Sequence, residues 1–311
     1  VWRMSAPSDL PPTHGLVLRL RHRGAVLELH GRVVDAALAG KLLQGRIEFT
    51  SRIAVGDRVR VEERGKELVI VEVLPRHSAL SRERQLNGRE QVMVANVDRA
   101  LFALSLAEPA FRARLVDRLL VAAARGGFAP VLLFTKCDLV PDRTPFEDFA
   151  ELYRGLGVPV IFVSTVTGEG IAEVRASLCG AISVLAGQSG VGKSTLLNQI
   201  VPGLGLAVAE ISKKWGKGQH TTTSSSLHAL PDGGYLADTP GIRSFALPRL
   251  EANEAARYFP EFVQVASGCR YSSCTHRHEP SCAVKSAVEV ATIQPCRYES
   301  YLRIVAGVEE E

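Results

Sequence analysis

Residues 131–140 read VLLFTKCDLV. An apolar run of strand length ends there in Thr135, Lys136, Cys137 and Asp138. A carboxylate can only accept hydrogen bonds, and the Watson–Crick edge of guanine offers two N–H donors that adenine lacks. An Asp at a strand tip, aimed at a base, therefore selects guanine. Lys136 would lay its aliphatic stem along the ring, as long cationic side chains readily do. The pattern is close to Asn-Lys-x-Asp. Thr135 stands in the Asn position and lacks the amide that ties such a motif to its surroundings. By itself the tetrapeptide is more often an ordinary strand end, so the rest of the chain must decide.

The deciding partner lies later. Gly187, Gln188, Ser189, Gly190, Val191, Gly192, Lys193 and Ser194 fit G-x-x-x-x-G-K-[ST] at every fixed position, and Thr195 follows. The stretch leaves an apolar run (ISVLA) and opens a helical one (KSTLLNQI), which is the context the chemistry needs. Glycines let the backbone curl until successive N–H groups face phosphate oxygens. The helix N-terminus adds positive partial charge. Lys193 reaches the outer phosphates, and Ser194 offers a hydroxyl to Mg²⁺, a hard cation that prefers oxygen.

Further pieces follow the same logic. Asp238-Thr-Pro-Gly241 closes a strand-like run and fits D-x-x-G, with Asp238 supporting Mg²⁺ and the Gly241 N–H sensing a γ-phosphate. Ser164 and Thr165 sit at another strand end, where a backbone contact to the guanine carbonyl is expected. Between the phosphate loop and Asp238 lies SKKWGKGQHTTTSSS (212–226), rich in Gly, Lys and hydroxyls and without apolar period, as a switch requires. Thr222 or Thr223 is a candidate Mg²⁺ ligand there. The residue after D-x-x-G is Ile242, which cannot orient water, so His220 in the switch is the catalytic candidate, with Gln219 behind it.

These are the parts of a GTPase site in an altered order: base, base, phosphate, switch, switch. Moving both base elements to the front is a circular permutation, tolerated where the termini of a sheet lie close together. All the loops can still meet at one edge of a parallel sheet.

The flanking regions differ in kind. Residues 15–76 alternate apolar and polar positions over several short strands, including two around a Glu-Arg-Gly-Lys turn, and predict a small OB-like barrel. Arg19, Arg21, Arg23, Arg32 and Arg58 decorate it, either as a solvated face or as a nucleic-acid surface. Residues 77–90 are polar and read as a linker. From 91 to 248 apolar runs alternate with helical stretches; in one of these Leu115, Leu119 and Ala122 share a face and Gly126 is a natural stop. That alternation predicts a parallel sheet with covering helices. Residues 249–311 are helical and Cys/His-rich. Cys269, Cys274 and Cys282, with His276 or His278, supply a Cys₃His set of the kind that closes a structural zinc site and staples a segment with little core of its own. Cys137 and Cys179 read as core or strand-end residues.

The totals are compatible with this. The chain has 311 residues, 46% hydrophobic and 23% charged, with a formal net charge of +4, a mildly basic balance that suits a polyanionic partner without proving one. No apolar run reaches the length of a membrane span. The polar, Pro-rich start, 1–14, lacks the apolar core of a secretory signal and reads as a disordered N-terminus, so a cytoplasmic protein is expected.

Taken in order, TKCD, GQSGVGKSTLLN, GKGQHTTT, DTPGIRSF and C-x₄-C-x-H-x₅-C resemble the RsgA (YjeQ) family of small-ribosomal-subunit GTPases. The resemblance spans nearly the whole chain. It implies an OB barrel, a permuted GTPase domain and a C-terminal zinc domain. It assigns zinc to Cys269, Cys274, His276 and Cys282, catalysis to His220, and GTP contacts to Thr135–Asp138 and Gly187–Thr195. It further implies GTP and GDP binding, a role in late maturation of the small ribosomal subunit through its rRNA, and turnover stimulated by that subunit. A monomer with no membrane partner is expected, because no sustained heptad or apolar interface is visible. The rivals are an ATP-dependent enzyme with an incidental TKCD, a non-enzymatic RNA-binding zinc protein, and a GTPase acting on the large subunit or on a membrane translocation target.

Overall fold

The computed structural model describes residues 13–43, 53–83, 90–201, 225–238 and 250–307. His220, Thr222, Thr223, Gly241, the centre of the expected linker and most of the expected disordered start lie outside these residues.

The first five strands are β1 (His14–Arg21), β2 (Gly24–Leu29), β3 (Arg32–Leu38), β4 (Arg58–Arg64) and β5 (Glu67–Val73), with a single helical turn, α1 (Gly40–Leu43), after β3. They run in the order β1-β2-β3-β5-β4, and β4 pairs back onto β1. That closes a five-stranded barrel, which removes the exposed edges that an open sheet would leave. Its core is Val17, Ala25, Leu27, Val59, Val61 and Ile70, the inward half of each alternating strand.

The central domain carries β8 (Arg99–Ser105), α2 (Ala113–Gly126), β9 (Ala129–Thr135), α3 (Thr144–Gly155), β10 (Val160–Val163), α4 (Ile171–Leu178), β11 (Ile182–Gly187), α5 (Lys193–Ile200), β12 (Ser226–Ala229) and β13 (Tyr235–Asp238). The sheet order is β10-β9-β8-β11-β13-β12. The first five of these are parallel and β12 is antiparallel. Both faces are buried, as parallel sheets require. Ala100 and Phe102 of β8 join the core under α2 and α3, while Leu101 joins the core under α4 and α5. On α2 the buried stripe is Val116, Leu119, Leu120 and Ala123, so Leu115 and Ala122 lie at its margin. Gly127, at φ 77°, caps the helix one residue past the expected stop.

Within the expected linker the chain forms β6 (Ala79–Glu83), which pairs with β7 (Glu90–Ala95) in a separate two-stranded sheet. Polar side chains hid it, because only Ala79 and Leu80 on the β6 side are apolar. β7 also meets the barrel. Val55 bridges to Val94, and Asn96 donates through Nδ2 to the Gly56 carbonyl at 2.9 Å. Gly56 has φ 88°, and a Cβ there would fall 2.1 Å from the Ala95 carbonyl oxygen. Next to it Asp57 is fully buried and accepts from Arg76 Nε at 2.7 Å and Nη2 at 2.8 Å. The barrel touches the central sheet a second time where Arg19 of β1 pairs with Ser226 of β12, which makes one continuous eleven-stranded sheet.

The C-terminal part contains α6 (Ala252–Ala256), α7 (Pro260–Val265), α8 (Ala283–Glu289) and α9 (Pro295–Ala306). Pro295 starts α9 and Gly307, at φ 69°, ends it, the usual asymmetry of helix termini. Its core includes Phe259, Phe262, Tyr301 and Ile304, joined by Val121 of α2. No helix among the described residues is long and apolar enough to cross a membrane.

Candidate functional site

Each strand that leads into the site delivers its last residue to the same edge of the sheet. Thr135 ends β9, Val163 ends β10, Gly187 ends β11 and Asp238 ends β13. The four strands are parallel, so their C-terminal ends align, and the loops after them converge there. The altered order of the motifs in sequence has no effect on this meeting, because the phosphate-loop strand β11 occupies the centre of the sheet.

Gly187 has φ 154°, and a Cβ on it would stand 2.4 Å from the Ala103 carbonyl oxygen, so the loop can leave the sheet there only without a side chain. Gln188, Ser189, Gly190 and Val191 form the turn, Gly192 caps α5 and Lys193 opens it. Lys193 Nζ lies over the loop and donates to the carbonyls of Gly187 at 2.7 Å and Gln188 at 2.6 Å. Ser194 is half-buried and Thr195 exposed on the first turn of α5.

Thr135 is buried, and its hydroxyl lies 2.8 Å from the Val191 carbonyl and 3.3 Å from that of Leu104. The first contact spans 56 positions and ties the base motif to the phosphate loop. The tie that a missing amide was expected to remove is therefore made by a hydroxyl. Lys136 has φ 60°, a left-handed turn that lets the chain leave β9 sharply, and its ammonium donates to the Glu108 carbonyl. Cys137 is fully buried beneath the loop, and burial, then its bond to Glu169, pushes the thiol up to about 11. Asp138 is half-exposed in the single 3₁₀ turn that follows.

Ser164 is fully buried, with its Oγ committed to the amides of Val166 and Thr167 at 3.1 Å each. It therefore shapes its loop through its side chain, while its own amide donates to the Glu169 carbonyl and its carbonyl accepts from the Gly168 amide, at 3.0 Å each. The Thr165 carbonyl accepts from Gln199 of α5 at 3.2 Å. Arg143 and Glu169, which no motif singled out, form a bidentate ion pair between the two base-side loops, at 2.7 and 3.0 Å. Each is a common surface residue type, so only the fold reveals their pairing.

Asp238 sits at the end of β13, opposite Ser226. Burial holds its carboxyl above the usual range, and the neighbouring His228 pulls the other way. An ionised carboxylate at that position gains from a nearby cation. Ser194 and Asp238 together offer a hydroxyl and a carboxylate, the hard oxygen donors that Mg²⁺ prefers.

In the C-terminal part, Cys269, Cys274, His276 and Cys282 bring one donor atom each to within 4.8 Å of one another. His276 Nδ1 lies 3.6 Å from Cys269 Sγ and 3.4 Å from Cys282 Sγ, and the two sulfurs are 4.0 Å apart. Tetrahedral zinc, with bonds of about 2.3 Å to sulfur and about 2.0 Å to nitrogen, separates its ligand atoms by about 3.5–3.8 Å. The donor set fits the ion. Of the two candidate imidazoles, His276 is buried in the group, while His278 is exposed outside it. His276 takes φ 57° to turn inward, and its carbonyl accepts from Tyr298 of α9 at 2.7 Å. Burial lowers its pKa and so favours the neutral imidazole that a metal needs, while burial pushes the Cys274 thiol up to about 12, so thiolate there calls for a cation. Cys179 and Cys296 are exposed and lie outside the group.

Comparison with known proteins agrees with this geometry. The RsgA GTPase family model matches residues 73–248. The chain is 40% identical over 295 residues to the small ribosomal subunit biogenesis GTPase RsgA of Moorella thermoacetica, covering 94% of this chain and 97% of that one. It is 42% identical over 273 residues to the protein of that name from Chlorobaculum parvum, covering 85% and 88%. Among solved structures it is similar to YjeQ from Thermotoga maritima, with a TM-score of 0.76 and 33% identity over 96% of this chain and 99% of that one. It is also similar to YloQ, described as a circularly permuted GTPase, with a TM-score of 0.75 and 28% identity over 98% and 97%. With its phosphate loop behind its base motif, a closed barrel in front and a Cys₃His cluster behind, the chain belongs to the RsgA family of circularly permuted GTPases.

Proposed function

We propose that this chain is a GTP-hydrolysing assembly factor of the small ribosomal subunit, which binds the subunit through its rRNA late in maturation and is stimulated by it. The observation that carries the reading is the meeting of the TKCD loop and the phosphate loop at one sheet edge, joined by the Thr135–Val191 bond. The shared name of the relatives supplies the ribosomal part.

In this reading Asp138 accepts from the N1–H and N2–H of guanine, Lys136 and Thr135 frame the ring, and the Ser164–Thr165 backbone meets the base carbonyl. The amides of Gly187 to Thr195 cradle the phosphates, and Lys193 exchanges its two loop carbonyls for phosphate oxygens, a move its flexible stem permits. Ser194 and Asp238, with Thr222 or Thr223, hold Mg²⁺, which neutralises charge on the leaving phosphates. Gly241 senses the γ-phosphate and His220 orients the attacking water. One zinc ion on Cys269, Cys274, His276 and Cys282 is structural, because four protein ligands leave no open position.

The domains run 15–76, 91–248 and 249–311 in this scheme, joined by the 77–90 segment after an N-terminal tail at 1–14. The protein acts in the cytoplasm as a monomer. The test is hydrolysis of GTP and ATP with and without purified small subunits, with large subunits and Lys193→Ala protein as controls. Stimulation of GTP turnover by small subunits alone supports the reading; turnover indifferent to ribosomes, or favouring ATP, sinks it.

A further inference from the structure

The two loops on the base side of the site follow different strands. Residues 136–140 leave β9 and residues 164–170 leave β10, and neither loop lies in the sheet's hydrogen-bonded ladder. A side-chain bracket joins them. Arg143 Nη1 and Nη2 donate to the two carboxylate oxygens of Glu169 at 2.7 and 3.0 Å. The same guanidinium donates through Nε to the Cys137 carbonyl at 3.1 Å. The Cys137 thiol donates to Glu169 Oε2 at 3.4 Å. The Glu169 backbone carbonyl accepts from the Ser164 amide at 3.0 Å. The bonds close a ring through Cys137, Arg143 and Glu169, and Ser164 is tied to it through the Glu169 carbonyl.

That circuit stands directly behind both base-contacting segments. Asp138 is the residue after Cys137, and Thr165 the residue after Ser164. An isolated exposed ion pair contributes little. This one is bidentate and sends a third donor to a backbone carbonyl, and a planar guanidinium holds such a fork more rigidly than an ammonium does. A loop that must be ordered by its ligand loses affinity, and a loop already ordered does not.

From this geometry we infer that Arg143 and Glu169 are positioning residues for guanine recognition, which fix the spacing between the Asp138 loop and the Ser164–Thr165 loop before the base arrives. The inference rests on the GTPase reading of the site. Neither residue touches the nucleotide. Hydrogen bonding by Arg143 also keeps Glu169 below the usual carboxylate range, so the pair is ionised at neutral pH.

The experiment measures equilibrium binding of GDP and of ADP to the full chain, to Arg143→Ala, Glu169→Ala, the double variant and Arg143→Lys. Thermal unfolding and GTP turnover at saturation are measured alongside. The bracket requires a rise of about 3–10-fold in the GDP Kd of each single variant. It requires a double variant little worse than either single one, since the two act as a unit. Arg143→Lys stays close to Arg143→Ala, because a lysine cannot make the fork. ADP affinity, which depends on the phosphate loop, and turnover at saturating GTP keep their values. A GDP Kd that stays within about twofold in both single variants overturns the inference. So does equal loss of GDP and ADP binding, which marks a general defect of the fold. If the unmodified chain shows no preference for GDP over ADP, the guanine reading itself fails and the bracket fails with it.

Discussion

Arg297→Met would test what holds the Cys/His-rich C-terminal part to the GTPase part. Arg297 lies on α9 with its side chain only 3% exposed. It donates to Asp117 of α2 and, at 2.7 Å through Nε and 3.3 Å through Nη2, to Glu261 of α7. Its guanidinium also stacks 4.6 Å from the Phe259 ring centroid and 5.7 Å from that of Tyr153. Tyr153 in turn donates to Asp117 at 2.8 Å. Two carboxylates share one buried cation. Methionine preserves much of the volume and removes the charge, leaving Asp117, with a side chain 3% exposed, and Glu261, 12% exposed, without it. Breaking such a buried pair from one side costs about 3–5 kcal/mol. For a unit of this size that lowers the melting temperature by about 6–20 °C. The assay is urea unfolding followed by far-UV circular dichroism at several pH values. Burial opposes the charge of Arg297, but Asp117 and Glu261 raise its pKa further above its ordinary value. A folded pKa raised in this way gives a contribution that is lost only as pH climbs through it, so Arg297 stays charged across the working range. Arg297→Met combined with Asp117→Leu should recover part of the loss, because the stranded charge is gone. A deficit under about 1 kcal/mol would refute the claim that this ion pair secures the joint.

Thr135→Val, which keeps the shape and removes the hydroxyl donor to Val191, should weaken GDP binding about 5–10-fold by isothermal titration, the value of about one buried hydrogen bond. Asp138→Asn should move base preference from guanine toward xanthine nucleotides in competition binding, since the amide donates where the carboxylate accepted. Gly56→Ala should destabilise the barrel joint by about 2–4 kcal/mol in denaturant unfolding, because the position needs a positive φ and a Cβ would strike the Ala95 carbonyl. Cys282→Ala should purify without stoichiometric zinc by elemental analysis and expose the 269–282 segment to protease. The Glu169 pKa is lowered by Arg143, so the bracket's contribution is complete above the ordinary glutamate range and fades as pH falls below it; GDP affinity should hold from pH 8 to about 5.5 and drop below about 4.5.

What could be read in advance was chemistry. Phosphate binding demands glycines, a lysine and a hydroxyl at fixed spacing, and zinc demands thiolates and an imidazole close together. Gly187, Lys193, Ser194 and the Cys269–Cys282 group were therefore visible as residue types. Alternating apolar positions gave the barrel, and apolar runs between helical stretches gave the parallel sheet, because one face or two faces of a strand must be buried. The choice between His276 and His278 was not settled by spacing, and it turns on a left-handed backbone at His276 that spacing does not encode. β6 was missed because its two apolar residues, Ala79 and Leu80, are adjacent and the rest of ALSRE is polar, so no apolar alternation marks the strand.

The joints were illegible for a different reason. Asp57 with Arg76, Asp117 with Arg297, and Arg143 with Glu169 are all carboxylate–guanidinium pairs, and the chain holds 37 Lys and Arg against 33 Asp and Glu. Any of a great number of pairings would look the same in sequence, and only the fold selects these three. They nevertheless differ in consequence. Asp57 is fully buried and anchors the barrel beside Gly56; Arg297 is buried and anchors the Cys/His-rich C-terminal part on α2; Arg143 and Glu169 are partly exposed and brace two loops. Beside those anchors, the barrel's second attachment joins the ladder pair of Arg19 with Ser226 to a hydrogen bond from the Tyr235 hydroxyl to Glu28 and to Leu16 packed in the central core. Ser226 opens β12 directly after the 212–224 stretch that carries His220 and both candidate Mg²⁺ threonines. The barrel is thus joined to the central sheet at the strand that follows that stretch, while the Cys/His-rich part is held on α2 through Arg297 and Asp117.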